Sequence, residues 1–507
     1  MGSVIIQVLI ESDIMNNSDV LLILPPGGYY AERWKAGSLM PPLGLFYLAA
    51  VLEQNGFRVA IIDAHLEGLT IKDVVARAAE INPKVIGLSF ATDNRFPAFS
   101  TVEALKQRLP QTPLVLGGPH PSLTAEDTLK HIAEVDYIVR GEGEIVFVKL
   151  LQGILGDPGS IGGIPGISWR RDGVPVHNPR QELITDLDTL PFPARHLHPF
   201  DKYNLMMDVP GTGLARGGTI LAARGCPFSC NFCSSSEMWG RKVRMRTPAN
   251  VVAEILEVRD RYGAQALWFL DDVFAIRKQH ALDLCRAFTD AGIGMPFICE
   301  VRVDIVDLEL LKIMKDAGCY CVGFGVESGS QRLIDQIVNK KIKIEQVKRV
   351  RDWCAELDIL SNPFFIYSHP EETQEDLDQT LDLIRTWPKK SWIGLKLLHV
   401  YPGTEVERIA RRKGILPLDF SWSKPVGKNV ETMPSTQGDV PIFRDKLTWE
   451  QLGGAMAEWV RMRNYPVWKK IPGMLKDIRR PHDILRYLTL AYSYFLGSFK
   501  KKRRTDY

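Results

Sequence analysis

Cys226, Cys230 and Cys233 stand at C-x3-C-x2-C spacing within Arg224-Gly225-Cys226-Pro227-Phe228-Ser229-Cys230-Asn231-Phe232-Cys233, directly after an apolar run from Thr219 to Ala223. Thiols this close in sequence can converge on one small loop. Three thiolates suit three corners of a cubic iron–sulfur cluster and leave the fourth iron open. An open iron on a reducible cluster is a place for chemistry, whereas a fully ligated cluster mainly carries electrons. The competing reading is zinc or structural thiols. Structural zinc closes its tetrahedron with four protein ligands at paired spacings. Here Ser234-Ser235-Ser236-Glu237 follows, with no fourth Cys or His. The three cysteines are thus the candidate catalytic and metal-ligating residues.

The remaining composition narrows the class. A chain of 507 residues suggests two or three domains. A hydrophobic content of 45% and a charged content of 24% are those of a globular protein. A net charge of +3 argues against a nucleic-acid partner for the chain as a whole. All eight cysteines lie at or beyond Cys226 and form no disulfide framework. With no secretory pattern at the start, a reduced cytoplasmic setting is expected.

The elements that must position the cysteines follow from periodicity. Val20–Leu24, Arg58–Asp63, Val85–Phe90, Leu114–Gly117 and Tyr137–Arg140 read as short buried strands separated by helical patterns, among them one opening at Pro41-Pro42. Such alternation predicts a doubly wound parallel sheet, whose ligands lie beyond the carboxyl ends of its strands. Those ends are polar or glycine-rich: Ser89 to Asn94, Gly117-Gly118-Pro119-His120 and Gly141-Glu142-Gly143-Glu144. Ile167–Arg170 and Val174–His177 predict a hairpin around Asp172-Gly173. From about 216 to 415 strand–helix alternation resumes. Its strands end at Asp271-Asp272, Arg302-Val303-Asp304, Glu327-Ser328-Gly329, Ser368-His369-Pro370-Glu371-Glu372-Thr373 and Tyr401-Pro402-Gly403. Reactive groups gathered at strand ends predict a βα barrel.

The cysteine spacing, the Pro-Pro-Leu-Gly helix start, Gly-Gly-x-His, Gly-Glu-Gly-Glu and Gly-x-Glu-Ser-Gly together resemble the cobalamin-binding radical S-adenosylmethionine (SAM) enzymes. That resemblance implies an α/β protein in four parts. A Rossmann-like cobalamin domain spans 1–150 and a connector 151–215. A partial (βα)6 radical SAM barrel of TIM type spans 216–415, and a helical region 416–507. It implies a 4Fe-4S cluster, SAM and cobalamin as cofactors. SAM chelates the open iron and yields a 5′-deoxyadenosyl radical, and methylcobalamin supplies methyl to the substrate radical. By the same resemblance, Asp271 and Asp272 meet the methionyl amine, Arg302 the SAM carboxylate, and Glu327 the ribose. Phe228 and Phe232 shield the cluster or flank adenine. Ser89, Gly117, Gly118, Gly141 and Glu142 border cobalamin. Asp63-Ala64-His65-Leu66-Glu67-Gly68 matches a cobalt-ligating pattern but follows the second strand instead of the first. His65 is therefore expected to be a surface loop residue. His369 replaces an apolar residue usual at its strand end and would face substrate.

The expected activity is methylation of an unactivated carbon on a hydrophobic substrate, lipid or tetrapyrrole, with hopanoid-type lipids considered first. A flavodoxin- or ferredoxin-type reductant is implied. The alternatives are ring closure of the magnesium-protoporphyrin ester kind, or a non-catalytic cobalamin or iron–sulfur carrier or sensor. The substrate class rests on the C-terminal segment. There, apolar Ile484–Phe499 beside Lys500-Lys501-Lys502-Arg503-Arg504 fits a peripheral anchor on the cytoplasmic face of a membrane, with a core helix as the other reading. The aromatic residues Trp422, Trp449, Trp459, Tyr465 and Trp468 suggest a cap over the barrel's open side.

Overall fold

The computed structural model describes residues 18–27, 40–203, 205–432 and 439–462. Strands β1 (Val20–Leu24), β2 (Val59–Asp63), β3 (Val85–Ser89), β4 (Leu114–Gly117) and β5 (Tyr137–Val139) pair in parallel, in the order β2-β1-β3-β4-β5. Alternate residues of β1 enter different cores: Val20 and Leu22 pack on one face of the sheet, Leu21 and Ile23 on the other. Burial on both faces is why these strands read as continuous apolar runs. The strand order reverses between β1 and β3, so a crevice opens at their carboxyl ends.

The predicted hairpin forms as β6 (Ile167–Arg171) and β7 (Val174–His177), with Asp172 at φ 51° and Gly173 at φ 78°. Two successive left-handed residues make the turn that matches strand twist. The hairpin adds antiparallel to β5 and completes a seven-stranded sheet. The first domain therefore runs past residue 150. At its other end the connector gives β8 (Met206–Val209) and the start of β9 (Gly213–Ile220) to the second sheet. What remains between the domains is the segment around Leu187–Arg195.

The second sheet holds six parallel strands: β9, β12 (Ala266–Phe269), β13 (Phe297–Glu300), β14 (Cys319–Glu327), β15 (Leu360–Tyr367) and β16 (Gly394–Leu397). β8 closes one edge, antiparallel to β9. Helices cover the outer face; Lys278–Asp290, for example, buries Ala281, Leu284, Cys285 and Phe288 at helical spacing. A short antiparallel pair, β10 (Ala223–Arg224) and β11 (Arg244–Met245), brackets the cysteine loop.

Of the expected helical C-terminal region, residues 416–432 and 439–462 are described. Among these described residues Trp449–Met462 is the one helix, and it packs on the outer core of the barrel through Leu452 and Ala455, with Arg385 paired to Glu458. The stretch before it is irregular and buries Trp422 against the first domain. Glycine, proline and serine interrupt the apolar pattern there, so no helix propagates. Tyr465, Trp468 and the Ile484–Arg504 segment lie outside the described residues. Among the described residues, no helix is long and apolar enough to cross a membrane.

Candidate active site

The cysteine loop leaves β10 through Gly225, whose φ of 99° and approach to the Lys242 carbonyl exclude a side chain. Asn231, between the second and third cysteines, pins the loop. Its backbone N–H donates to Val338 O (3.0 Å), its amide to Ile337 O (2.6 Å), and its carbonyl accepts from Val406 N (3.0 Å). The accepting carbonyls close a single π-helical turn, Leu333–Val338, a geometry common at functional sites. Cys226 and Cys230 are half-buried, while Cys233 is open to solvent in the cleft and accepts from Ser235 N (3.4 Å).

The chain crowding the cleft desolvates all three thiols and pushes them up, Cys233 to about 12 even though its surface remains exposed. Left alone they would stay protonated; bound iron would deprotonate them. Among the described residues no set of three or more His, Cys, Asp or Glu side chains closes on a single ion. Three corners of a cubane stand farther apart than three ligands of one ion, and the spacing of the three cysteines is that of the larger group.

The barrel strand ends surround the loop. Arg302 lies over the Phe228 ring (3.5 Å), grips Asp304 through two bonds (3.0 and 2.9 Å), donates to Lys340 O (2.9 Å) and reaches Cys230. Sequence reasoning kept its fork for a carboxylate of SAM; in the structure Asp304 already occupies it. Asp271 also departs from expectation. It is buried, accepts from Ala222 N (3.2 Å), and is pushed up to about 7 by burial. It ties the segment that follows β12 to the one that joins β9 to β10. Asp272 is the carboxylate in the cleft, bonded by the Ser235 hydroxyl (2.5 Å) near Cys226 and Cys233. Glu327 holds a left-handed backbone (φ 67°) and pairs with Lys340 Nζ (2.6 Å), the two standing beside Cys230. Phe232 packs between the loop and the Leu398–Phe443 core, 6.5 Å from the His369 ring.

Sequence reasoning missed Glu300 and Lys340. Glu300 lies across Gly323 on β14, where any side chain would collide with its carboxyl, and burial pushes it up to about 7. Its parity with Ile298 on one strand was the available signal.

His369 and Glu372 are both buried. Burial pulls the imidazole down to about 4, and neither ring nitrogen has a hydrogen-bond partner of good geometry. Glu372 Oε2 accepts from His369 N (2.8 Å), and burial pushes its carboxyl from 4.5 up to about 8. The folded protein thus holds a proton there that the unfolded chain releases above about 4.5. Stability from this group is present at low pH and falls as pH rises toward 8. Glu372→Gln is expected to lessen that decline, read as denaturation midpoints across this range. An unchanged slope would place the decline in other groups.

In the first domain, Ser89, Gly117, Gly118, Gly141 and Glu142 do come together, lining one slot that opens to the surface. Leu22, Gly87 and Phe147 form its apolar depth. A Cβ on Gly118 (φ 88°) would meet Ser89 Oγ at 2.7 Å, and one on Gly87 would meet Leu22 at 3.0 Å. The slot exists because these positions carry no side chain, and it fits a large flat ligand with an apolar tail. Glu142, expected to contact that ligand, gives its carboxylate to Arg224 and Arg244 instead. His65 is half-buried on the short helix Ala64–Glu67, stacked against Gly27, and is not among the slot's walls. Cys285, Cys299, Cys319, Cys321 and Cys354 are buried free thiols.

Comparison with known proteins agrees with this geometry. Residues 33–151 match the B12 binding domain and residues 220–384 the radical SAM superfamily. An uncharacterized methyltransferase of Pyrococcus horikoshii is 31% identical over 408 residues, covering 80% of this chain and 85% of that one. Cytidylyl-2-hydroxyethylphosphonate methyltransferase of Streptomyces wedmorensis is 30% identical, covering 65% of this chain and 69% of its own. Anaerobic magnesium-protoporphyrin IX monomethyl ester cyclase of Rubrivivax gelatinosus is 29% identical, covering 73% and 66%. Among solved structures, the radical SAM methyltransferase TsrM of Kitasatospora setae superposes with a TM-score of 0.68 at 18% identity, over 89% of this chain and 90% of that one. The chain belongs to the cobalamin-dependent radical SAM methyltransferases, enzymes that work with a 4Fe-4S cluster, SAM and cobalamin.

Proposed function

We propose that the protein methylates an unactivated carbon of a hydrophobic substrate, lipid or tetrapyrrole in kind. The observation that carries this reading is the shared wall of the slot. Met238 and Trp239, from the helix that follows the cysteine loop, line the same slot as Gly117, Gly118 and Gly141 of the first domain. The corrin site and the cluster loop are therefore neighbours. When bound, the cluster and SAM supply a hydrogen-abstracting radical, and cobalamin supplies the methyl group.

The chain's own residues then have definable tasks. Asp272 faces the cleft beside the cysteines and takes the methionyl ammonium, while Glu327 with Lys340 takes the ribose hydroxyls. Arg302 works by holding Phe228 and the loop, and its remaining reach is toward SAM. Ser89, Gly117, Gly118 and Gly141 admit the corrin, and Phe232 screens the cluster. A hydrophobic substrate is supported by a mostly apolar hollow lined by Leu205, Met206, Met207, Trp268, Ile298 and Tyr320, with Asp208 its one charged wall. Trp268, Ile298 and Tyr320 come from the same barrel strands that carry Asp272, Arg302 and Glu327 at their carboxyl ends. A flavodoxin- or ferredoxin-type donor supplies the electron.

Asp272→Asn is expected to weaken SAM binding roughly tenfold or more, the cost of a lost charge-assisted bond. Equilibrium dialysis of the cluster-loaded protein would read this, and unchanged affinity would remove Asp272 from the site. The substrate class is tested by incubating reduced holoenzyme and methyl-labelled SAM with lipid and pigment extracts. Label is expected in an apolar product. Label confined to polar metabolites would overturn the hydrophobic reading. The second reading, ring closure, is favoured by the cyclase relative; its sign is turnover with no label incorporated.

A further inference from the structure

Glu142 and Glu144 belong to the wall of the cobalamin slot, yet their carboxylates are spent on the strand that enters the cysteine loop. Arg224 Nη1 donates to Glu142 Oε1 (3.0 Å) and Nη2 to Glu144 Oε1 (2.7 Å). Arg244, its partner across β10–β11, donates to both oxygens of Glu142 (2.8 and 2.7 Å). All four side chains are at most 8% exposed. The Arg224 guanidinium lies near two rings, Tyr47 of the first domain (5.3 Å) and Trp239 of the slot wall (5.5 Å). Two carboxylates and two guanidiniums balance in charge, which makes the burial tolerable and any loosening costly.

We infer that this network couples occupancy of the corrin slot to the geometry of the cluster loop, with Arg224 as the positioning residue. Arg224 stands two positions before Cys226, and Gly225 between them is wedged against Lys242 O. The Gly141–Glu144 wall cannot shift without pulling Arg224, and Arg224 cannot shift without carrying Cys226. The same four buried side chains hold the slot wall and the loop entry, so ordering either one orders the other; each cofactor then tightens binding of the other, by the same factor in both directions. The inference needs both cofactors to bind. It does not depend on the substrate or on the fate of the methyl group, so it can fail while methyl transfer stands, and the reverse.

The test is a titration of the full-length protein with hydroxocobalamin, followed by visible absorbance, with the cluster present and after its removal by chelation. The cluster is expected to tighten cobalamin binding by about fivefold or more, the lower range of site couplings. Glu144→Gln keeps the shape and leaves Arg224 paired with Glu142. It is expected to bring that ratio toward one while iron content and circular dichroism stay as in the wild type. Arg224→Lys, which keeps the charge but loses the fork, is expected to do the same. A purely structural pin would weaken both affinities alike and leave the ratio unchanged. Such an unchanged ratio in Glu144→Gln, or a wild-type ratio of one, overturns the inference.

Discussion

Cys230→Ala is expected to abolish reductive cleavage of SAM, with 5′-deoxyadenosine falling by roughly a thousandfold or more, toward the uncatalysed background. Cys230 is the middle of the three loop thiols, with Arg302, Lys340 and Glu327 all acting on it. On the proposed function, losing it would remove one of the three thiol ligands that hold the cluster. Nothing nearby replaces it, since the other five cysteines are buried elsewhere in the barrel. Iron content and 5′-deoxyadenosine should fall together. Cys285→Ala, on an outer helix, is the control and should leave both unchanged. Cleavage surviving in Cys230→Ala would move the cluster off this loop.

Glu254→Gln is expected to be the most destabilising single change, by about 3–5 kcal/mol or more, the cost of breaking a buried ion pair. Glu254 on the helix Pro248–Asp260 is fully buried and serves two arginines. Arg195 of the linker donates to Oε1 and Arg246 to Oε2, both at 2.5 Å. Arg195 also donates to Thr219 O on β9 (2.9 Å), and Arg246 to the Tyr47 hydroxyl of the first domain (3.3 Å). One carboxylate thus joins linker, barrel and cobalamin domain. Neutralising it leaves two guanidiniums facing each other without water. The loss should show as a lower denaturant midpoint. A midpoint within the range of an ordinary surface change would mean that water reaches this triad.

A second bridge lies at the far side of the interface. Arg95, fully buried, donates to Trp422 O (3.0 Å) and Asp439 O (3.1 Å), while Asp127 accepts from Ser423 N (2.9 Å). The barrel's C-terminal extension therefore returns to the cobalamin domain.

What was legible in the sequence was local. The cysteine loop and the Gly117, Gly118 and Gly141 turns are contiguous signals, and the strand ends follow from apolar runs of strand length. Long-range pairings were not legible: nothing near Glu142 shows that Arg224 and Arg244 will reach it, nor near Glu254 that Arg195 will. Arg302 was assigned to SAM because Asp304, only two residues on, was not seen as its partner. Asp271 and Asp272 looked equivalent in sequence. A strand end turns neighbours in opposite directions, so one is buried under β9 and the other opens to the cleft. β8 was missed because Met206-Met207-Asp208-Val209 alternates weakly and a glycine-rich strand follows it. The aromatic residues after Gly403 suggested a cap over the barrel, but Trp422 packs against the first domain and Trp459 on the barrel's outer core, partners that no local pattern announces.

The central claim is that one cleft couples radical generation to methyl transfer through neighbouring cluster and corrin sites. Its most direct test is the product ratio from reduced, fully loaded enzyme turning over its substrate. The account predicts S-adenosylhomocysteine and 5′-deoxyadenosine in comparable amounts, with one methyl group gained by the product. Turnover that releases 5′-deoxyadenosine without S-adenosylhomocysteine would contradict it.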